Sequence, residues 1–489
     1  MWVDGVPRVA CVTPARRMDG RDVTTLEGLS PSAREAWAGA LVASGGSQCG
    51  FCAPGIVMRL AALEGPVTDD RIDQSLLAHL CRCTGWQTVR EAAHAVLDDG
   101  EPAFDAPPRD LDDAAARAAL EGGVPQRVGP PVVLGDAGFA DDASPADALV
   151  AVPDRGGGYA VAGSLAAARA LAGKVQGRST TMPLSHPVAV PPGEWVVTLA
   201  TSWIEPAYVE PDASWCAPGG RPASPYGNGG AFGGKLGSPV ADDARRLADE
   251  HGRPVRVLWS REDVVRRGPK RPPVAGGIAC DGTGVLRVGT TGGTVGADTW
   301  AGVIRAVAAV APGVTLEQVE VSGPPVSCDL RAAVWAEAAV LTAVGRLAAD
   351  RGGPVVDVPV EVVAPGGGRA VARWGPDGTL DVEVSAGQVL DAVVLRSYVV
   401  GAAHQALSWV GSEGIAVDPD GRVQDLTIRS FGILQARAMP RVTVRIDAGS
   451  TGGPVNGSDA VFAAVAAARW LADGLVPTWP TDRDGAGRR

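Results

Sequence analysis

The chain has no long apolar run, no excess of positive charge, few cysteines and almost no lysine. Without about 18 consecutive apolar residues, no segment can cross a bilayer as a helix. The first twenty residues, MWVDGVPRVACVTPARRMDG, contain no apolar stretch of the kind a signal peptide needs. A net charge of −11 over 489 residues argues against broad binding to nucleic acid or to an acidic membrane surface. Lysine occurs only as Lys174, Lys235 and Lys270, so most positive charge is carried by arginine. Eight cysteines without an export signal imply reduced thiols and a cytoplasmic setting rather than a disulfide framework. What is present is an ordinary globular share of hydrophobic residues, 46%, with 65 glycines and 39 prolines to make turns. The length allows two to four domains.

Residues 1–29 read as a short β-rich piece, with Trp2-Val3, a turn at Asp4-Gly5, an extended run from Val9 to Val12, and a turn at Asp19-Gly20. The pattern then becomes helical over 30–100. Ser30-Pro31 starts a first helix carrying Trp37 and Leu41, and Pro54 opens a second with Ile56, Leu60 and Leu63, stopped by Gly65. Thr68 caps a third, with Ile72, Leu76 and Leu80, that returns to Cys81; a fourth runs from about Trp86 to Leu97. Residues 101–130, beginning EPAFDAPPRDLDD, read as a linker, and 131–489 alternate strand-like and helical segments. Strands are expected over 195–199, 255–259, 380–384 and 442–446, and helices over 164–172, 239–250, 331–349, 396–410 and 459–473. The class is α+β.

Four of the eight cysteines fall within 35 residues: Cys49 and Cys52, then Cys81 and Cys83. The outgoing and returning helices between the pairs bring all four to one end of the bundle. Both pairs sit just before helix starts, where free N–H groups and the positive dipole end favour an anionic thiolate cluster. A structural zinc site could use the same thiolates, although zinc ribbons usually pair two CxxC knuckles across a shorter gap. A redox disulfide at Cys49–Cys52 leaves the second pair unexplained.

QCGFCAPGIVMRLAALEG and LLAHLCRCTGWQTVREAAHAV together resemble the helical [2Fe–2S] domain of the molybdenum hydroxylases: xanthine dehydrogenase, aldehyde oxidase and carbon monoxide dehydrogenase. The resemblance implies that Cys49, Cys52, Cys81 and Cys83 bind one cluster, with Gln48 and Cys83 close to a molybdopterin cofactor. WVDGVPRVACVTPARRMDGRDVTTLEGL is similar to the end of that family's plant-type ferredoxin domain, of whose four cysteines only Cys11 is here. On its own Cys11 reads as an ordinary thiol, and Met1 is expected to be an internal start.

Downstream, NGGAFGGKLGSP (228–239) is a near match to a phosphate loop, but Leu236 stands where a Mg²⁺-binding hydroxyl is needed and no apolar strand precedes it. As a plain glycine turn before a helix begun by Ser238-Pro239, it could still present N–H groups to an oxyanion. The loop also resembles the GGGFGGK element of the family's catalytic subunit, which implies that Gly230, Phe232 and Gly233 bind the cofactor, with the backbone at Phe232 and Gly233 approaching the molybdenum. RPVRVLWSRED, DLRAAVWAEAAVL and the segment 401–433 extend the likeness, and EPAYVEPDASWC extends it more thinly. The chain departs from the family in three ways. It is short, it has no visible flavin segment, and Gly457 stands where the family's general-base glutamate belongs. Asp459 reads as a solvated helix cap, and His404 and Glu413 as structural. Two readings result. One is an iron–sulfur component of a molybdenum hydroxylase, working with other subunits such as a flavin-binding one, and open to homodimer formation. The other is an electron-transfer or scaffold chain with no molybdenum chemistry of its own.

Overall fold

The computed structural model describes residues 1–98, 109–173, 177–348, 355–447, 449 and 452–482. Trp2–Val3, Val6–Pro7 and Val23–Thr24 make a small antiparallel sheet whose tight turn uses Asp4 and Gly5 at positive φ. Trp2 Nε1 donates to Met58 O at 2.7 Å and ties this sheet to the helical unit. The run from Val9 to Val12, expected to be extended, is instead a 3-10 turn over Ala10–Val12. It has no buried residue and no strand partner to hold it extended.

Four helices follow: α1 (Pro31–Ser44), α2 (Ala53–Leu60), α3 (Asp69–Leu76) and α4 (Gln87–Leu97). Ser30 caps α1 by accepting from the Ala33 N–H, and Thr68 caps α3 by accepting from Arg71. Ile56, Leu60, Ile72, Leu76 and Val89 fill the space between them. Two of these helices are shorter than expected. α2 ends at Leu60, and Gly65 (φ +68) shapes the following turn; α3 ends at Leu76, so Leu80 to Cys83 is loop. Residues 99–108 of the expected linker lie outside the described residues, and the rest of it is not a linker. α5 (Leu111–Gly122) is capped by Asp110 and docks on the later helix α12. Asp110, Asp112 and Asp113 supply this cap and the acidic first turn.

The remaining helices are α6 (Pro130–Val133), α7 (Leu165–Ala172), α8 (Val240–His251), α9 (Arg261–Arg267), α10 (Ala297–Val310), α11 (Trp335–Ala348), α12 (Ala392–Gly411) and α13 (Ser458–Ala472). Three mixed sheets accompany them. One has five strands in the order Val314–Glu320, Gly284–Thr290, Val274–Ile278, Val197–Thr201 and Thr478–Trp479. A four-stranded sheet runs Val360–Val363, Arg369–Trp374, Leu380–Ser385 and Val442–Ile446; another runs Tyr159–Ala162, Leu149–Pro153, Val255–Leu258 and Ala213–Cys216. The α+β class is the one expected. α12 and α13 are buried nearly all round and pack against each other, as apolar, alanine-rich helices must when no face is left for water. No helix among the described residues is long and apolar enough to cross a membrane.

Candidate iron–sulfur site

The loop after α1 carries Gln48 and Cys49, Cys52 is the N-cap residue of α2, and Cys81 and Cys83 lie on the loop between α3 and α4. The two loops meet. Cys49 Sγ and Cys83 Sγ are 3.6 Å apart, close to the edge of about 3.8 Å expected for two thiolates on one tetrahedral metal. Cys81 lies within hydrogen-bonding reach of both Cys52 and Cys83, so the four sulfurs form a run of neighbours, Cys52 to Cys81 to Cys83 to Cys49. All four cysteines are free thiols and line one small enclosed cavity. Among the described residues, no group of three His, Cys, Asp or Glu is drawn together in the way a single metal ion requires. Four thiols around one cavity, with no three of them set for a single ion, suit a two-iron group better.

The thiols differ in acidity. Hydrogen bonds from Cys52, then from Cys83, and then from the Thr84 hydroxyl and N–H hold Cys81 well below the usual thiol range. Their donor role toward Cys81 and Cys49 pushes Cys52 and Cys83 up, and burial adds to it.

Backbone shape makes the pocket. A Cβ on Gly230 (φ +84) would lie 3.0 Å from Cys49 Sγ and 3.2 Å from Cys83 Sγ, so only glycine lets the 228–239 loop close over the sulfurs. A Cβ on Gly85 (φ +64) would lie 2.5 Å from the Val400 carbonyl, and one on Gly401 would collide with the Cys83 carbonyl. α12 thus runs directly behind the second cysteine loop. Trp86 and Phe232, close in sequence to Gly85 and Gly230, also hold positive φ without being glycine. Strain of this kind persists only where surrounding packing over-determines it.

Buried polar contacts lock the loops. Gln48 Nε2 donates to the Cys83 carbonyl at 3.0 Å and to Ser397 Oγ on α12 at 2.8 Å, while its Oε1 is buried without a partner. Arg82, between the two cysteines, makes a two-pronged buried ion pair with Glu413, one prong at 2.8 Å, and donates to the Pro206 carbonyl at 3.2 Å. Gln405 Nε2 donates to the Arg82 carbonyl at 2.8 Å. Glu413, expected to be merely structural, therefore orients the loop that carries Cys81 and Cys83. His404 is structural as expected: its Nε2 bonds the Leu434 carbonyl at 2.8 Å, and burial pushes its pKa down to about 4.

The glycine loop does not meet every expectation placed on it. Lys235 is buried in an ion pair with Glu210 and faces no open anion site. Ser238 donates to Asp212 rather than capping α8. The Gly233 backbone is pressed against the Asp329 carbonyl. Phe232 borders a cavity of only 40 Å³, closed by Arg271, Arg331, Trp409 and Phe462. Arg331 stacks over Phe232 at 4.7 Å and pairs with Asp459 at 2.8 Å, so Asp459 is an ion-pair partner and not a solvated cap. Small-molecule cofactors occupy cavities of about 300 Å³ and upward. The four thiols and their wrapping fit an iron–sulfur group; the residues around Phe232 do not fit a pterin in this arrangement.

Near Gly457 the sequence reading missed a carboxylate. Glu121, on α5, accepts from the Gly457 N–H at 3.1 Å and the Ser458 N–H at 2.9 Å, and pairs with the fully buried Arg117 at 3.0 Å. It caps α13. Its position in the supposed linker, more than 300 residues away, left no local signal beyond the Arg117/Glu121 spacing of four.

A protein-family profile described as a [2Fe-2S] binding domain matches residues 25–94. Residues 25–94 are a [2Fe–2S] binding domain. Over 94 residues the chain is 39% identical to a probable xanthine dehydrogenase component of Bacillus subtilis, covering 19% of this chain and 54% of that protein. Over 102 residues it is 36% identical to the xanthine dehydrogenase iron-sulfur-binding subunit of Escherichia coli O157:H7, covering 20% of this chain and 62% of the relative. The match thus spans less than two thirds of either relative. In three dimensions the chain is similar to aldehyde oxidoreductase from Desulfovibrio gigas, with a TM-score of 0.70 at 13% identity, covering 99% of this chain and 94% of that one. The enzyme of the same name from Desulfovibrio desulfuricans gives 0.63 at 13% identity, with the same coverage of both chains. At that identity the likeness is one of fold, and it extends far beyond the cysteine domain. These are the kinds of protein that the cysteine motifs resemble.

Proposed function

We propose that this chain is the electron-transfer component of a molybdenum hydroxylase-type oxidoreductase, holding one [2Fe–2S] cluster on Cys49, Cys52, Cys81 and Cys83. The observation that carries the reading is the unbroken run of four buried or half-buried thiols beneath Gly230, inside a domain of the matching type. When bound, the cluster supplies a one-electron redox centre. The chain's own residues do the rest. Thr84 donates toward Cys81, Gln48 and Arg82 hold the two loops in register, and α12 excludes water from one side. Relatives named as subunits of xanthine dehydrogenase support an assembly of several chains, in which a flavin-binding subunit is a fitting partner. The electron-transfer unit in this reading is 30–100, with 131–489 as its scaffold.

Of the two readings of the larger part, the 40 Å³ cavity beside Phe232 favours the one in which substrate chemistry is not done on this chain. The test is metal analysis of purified protein. About two irons and two labile sulfides per chain are expected, with visible absorption that dithionite bleaches and that Cys52→Ser abolishes. Stoichiometric zinc without iron after anaerobic purification refutes the proposal.

A further inference from the structure

α3 and α4 pack against each other, and the loop that carries Cys81 and Cys83 joins them at one end. Their other ends meet at His94. Its Nε2 lies 2.8 Å from Oδ1 of Asp69, the first residue of α3, and its Nδ1 lies 2.7 Å from Oδ2 of Asp98, just past the end of α4. Asp98 Oδ1 also accepts from the Val67 N–H at 3.0 Å, shortly before α3 begins. The neighbouring charges are engaged elsewhere or stand apart from the imidazole. Arg90 pairs with Asp73, Glu91 pairs with Arg396, and Arg71 donates to the Glu64 carbonyl. Arg441, in the same 500 Å³ cleft as His94, takes part in no ion pair found among the described residues. Asp70 on α3, and Arg34 and Glu35 on α1, make no ion pair with His94 either.

An imidazole donates from both nitrogens only when it is protonated. Neutral, it keeps one N–H and turns a lone pair toward the second carboxylate, which repels it. We infer that Asp69, His94 and Asp98 form a proton-operated clip that pins the start of α3 to the end of α4, closed while the imidazole is charged and half-released once it is neutral. The Asp98 arm has a second tie in the Val67 N–H, so the arm that opens is the one to Asp69. Burial pulls the His94 pKa down, but its hydrogen bonds to Asp69 and Asp98 outweigh that and leave it raised above 6.5. The C-terminal end of α4 favours the same charge. The clip's contribution is therefore complete below the unfolded value of about 6.5 and is lost as pH rises through the higher folded value. A proton thus decides how firmly the two helices are held at the end away from the cysteine loop.

The experiment is hydrogen exchange on the whole chain, read by mass spectrometry on the peptide covering 61–72 and corrected for intrinsic exchange rates. From about pH 6 to about pH 9, wild-type protection in this peptide should fall about two- to fivefold, the range that a part-exposed ion pair supplies. His94→Gln should show the lowered protection already at the acid end and fall no further. Asp69→Asn, which leaves the histidine in place, should lose most of the pH response as well. His251→Gln, at the end of α8, should behave as wild type. Circular dichroism checks that each variant is folded, independently of any cluster. The inference is overturned if wild-type protection changes by less than about 1.5-fold, or if His94→Gln and Asp69→Asn fall as much as wild type over the same range.

Discussion

Replacing Arg82 by methionine should loosen the cluster site more than any surface change. The Arg82 side chain is 8% exposed and Glu413 2%, so the pair is almost wholly withdrawn from water. Burial already pushes the Glu413 pKa up, and the guanidinium beside it works in the opposite direction. Removing the cation leaves a buried carboxylate unpaired, which costs about 3–5 kcal/mol. The hydrogen bond to the Pro206 carbonyl goes with it. With a urea slope of about 1–3 kcal/mol per molar, the midpoint for loss of visible absorption should fall by roughly 1–5 M. Arg82→Met combined with Glu413→Leu removes both charges and should recover at least half of that loss, because a buried pair replaced by apolar groups is often neutral. The absorption spectrum of the folded double variant should match wild type. If Arg82→Met costs no more than about 0.5 kcal/mol, the level of an ordinary surface substitution, or if the double variant is worse than the single, the pair does not position the ligand loop.

Gly230→Ala adds a Cβ 3.0 Å from Cys49 Sγ at φ +84 and should lower cluster content, whereas Gly237→Ala, which meets nothing within 4 Å, should not; iron analysis distinguishes them. His404 has its pKa lowered from 6.5 to about 4, so between those values the unfolded chain binds the extra proton. Its contribution is complete above about pH 6.5 and is lost as pH falls toward 4, up to about 3 kcal/mol, and urea midpoints across this range should flatten in His404→Gln. Gly457→Glu should yield no hydroxylation of aldehydes or purines even with molybdenum cofactor supplied. Its Cβ would lie 2.9 Å from both Ala386 Cβ and Val384 Cγ2, and the new carboxylate would sit beside Glu121, so a lower urea midpoint is expected instead. Brisk turnover refutes that reasoning.

The helical unit was readable because its signals are local. Ser30-Pro31 and Thr68 announce their helices within a few residues, and the cysteine spacing is itself a statement about a returning chain. The glycine loop was legible only in part. The family resemblance implied a close backbone approach, and one is made at Gly230, but to Cys49 and Cys83. What escaped detection are the charged pairs that join distant segments. Arg82 and Glu413 are 331 residues apart, and Arg331 and Asp459 are 128 apart. Neither pair leaves a periodicity or a motif, and a lone buried charge looks in sequence like any solvated one. The supposed linker hid Arg117 and Glu121 for a related reason: Asp marks a helix start as readily as an open loop.

These long-range pairs explain why a domain of about a hundred residues is attached to a much larger body. Ser397, Gly401, Gln405 and Glu413 recur along one stripe of α12 and its C-terminal end, and each touches Gln48 or the Cys81–Cys83 loop. α4 is held to the same body by Glu91 with Arg396 and by a reciprocal pair of hydrogen bonds between Gln87 and Val442. A redox centre works best when its surroundings need not rearrange as its charge changes, which requires polar groups fixed in advance in a water-poor site. Four short helices bury too little to fix such groups alone. α12, itself buried against α13, supplies the rigid wall, and Cys52 is the one of the four clustered cysteines that is not buried. The same packing that closes the space beside Phe232 is therefore what holds the second cysteine loop still, so opening that space for a bulky ligand would release Arg331, Gln405 and, through the Arg82 carbonyl, the loop itself.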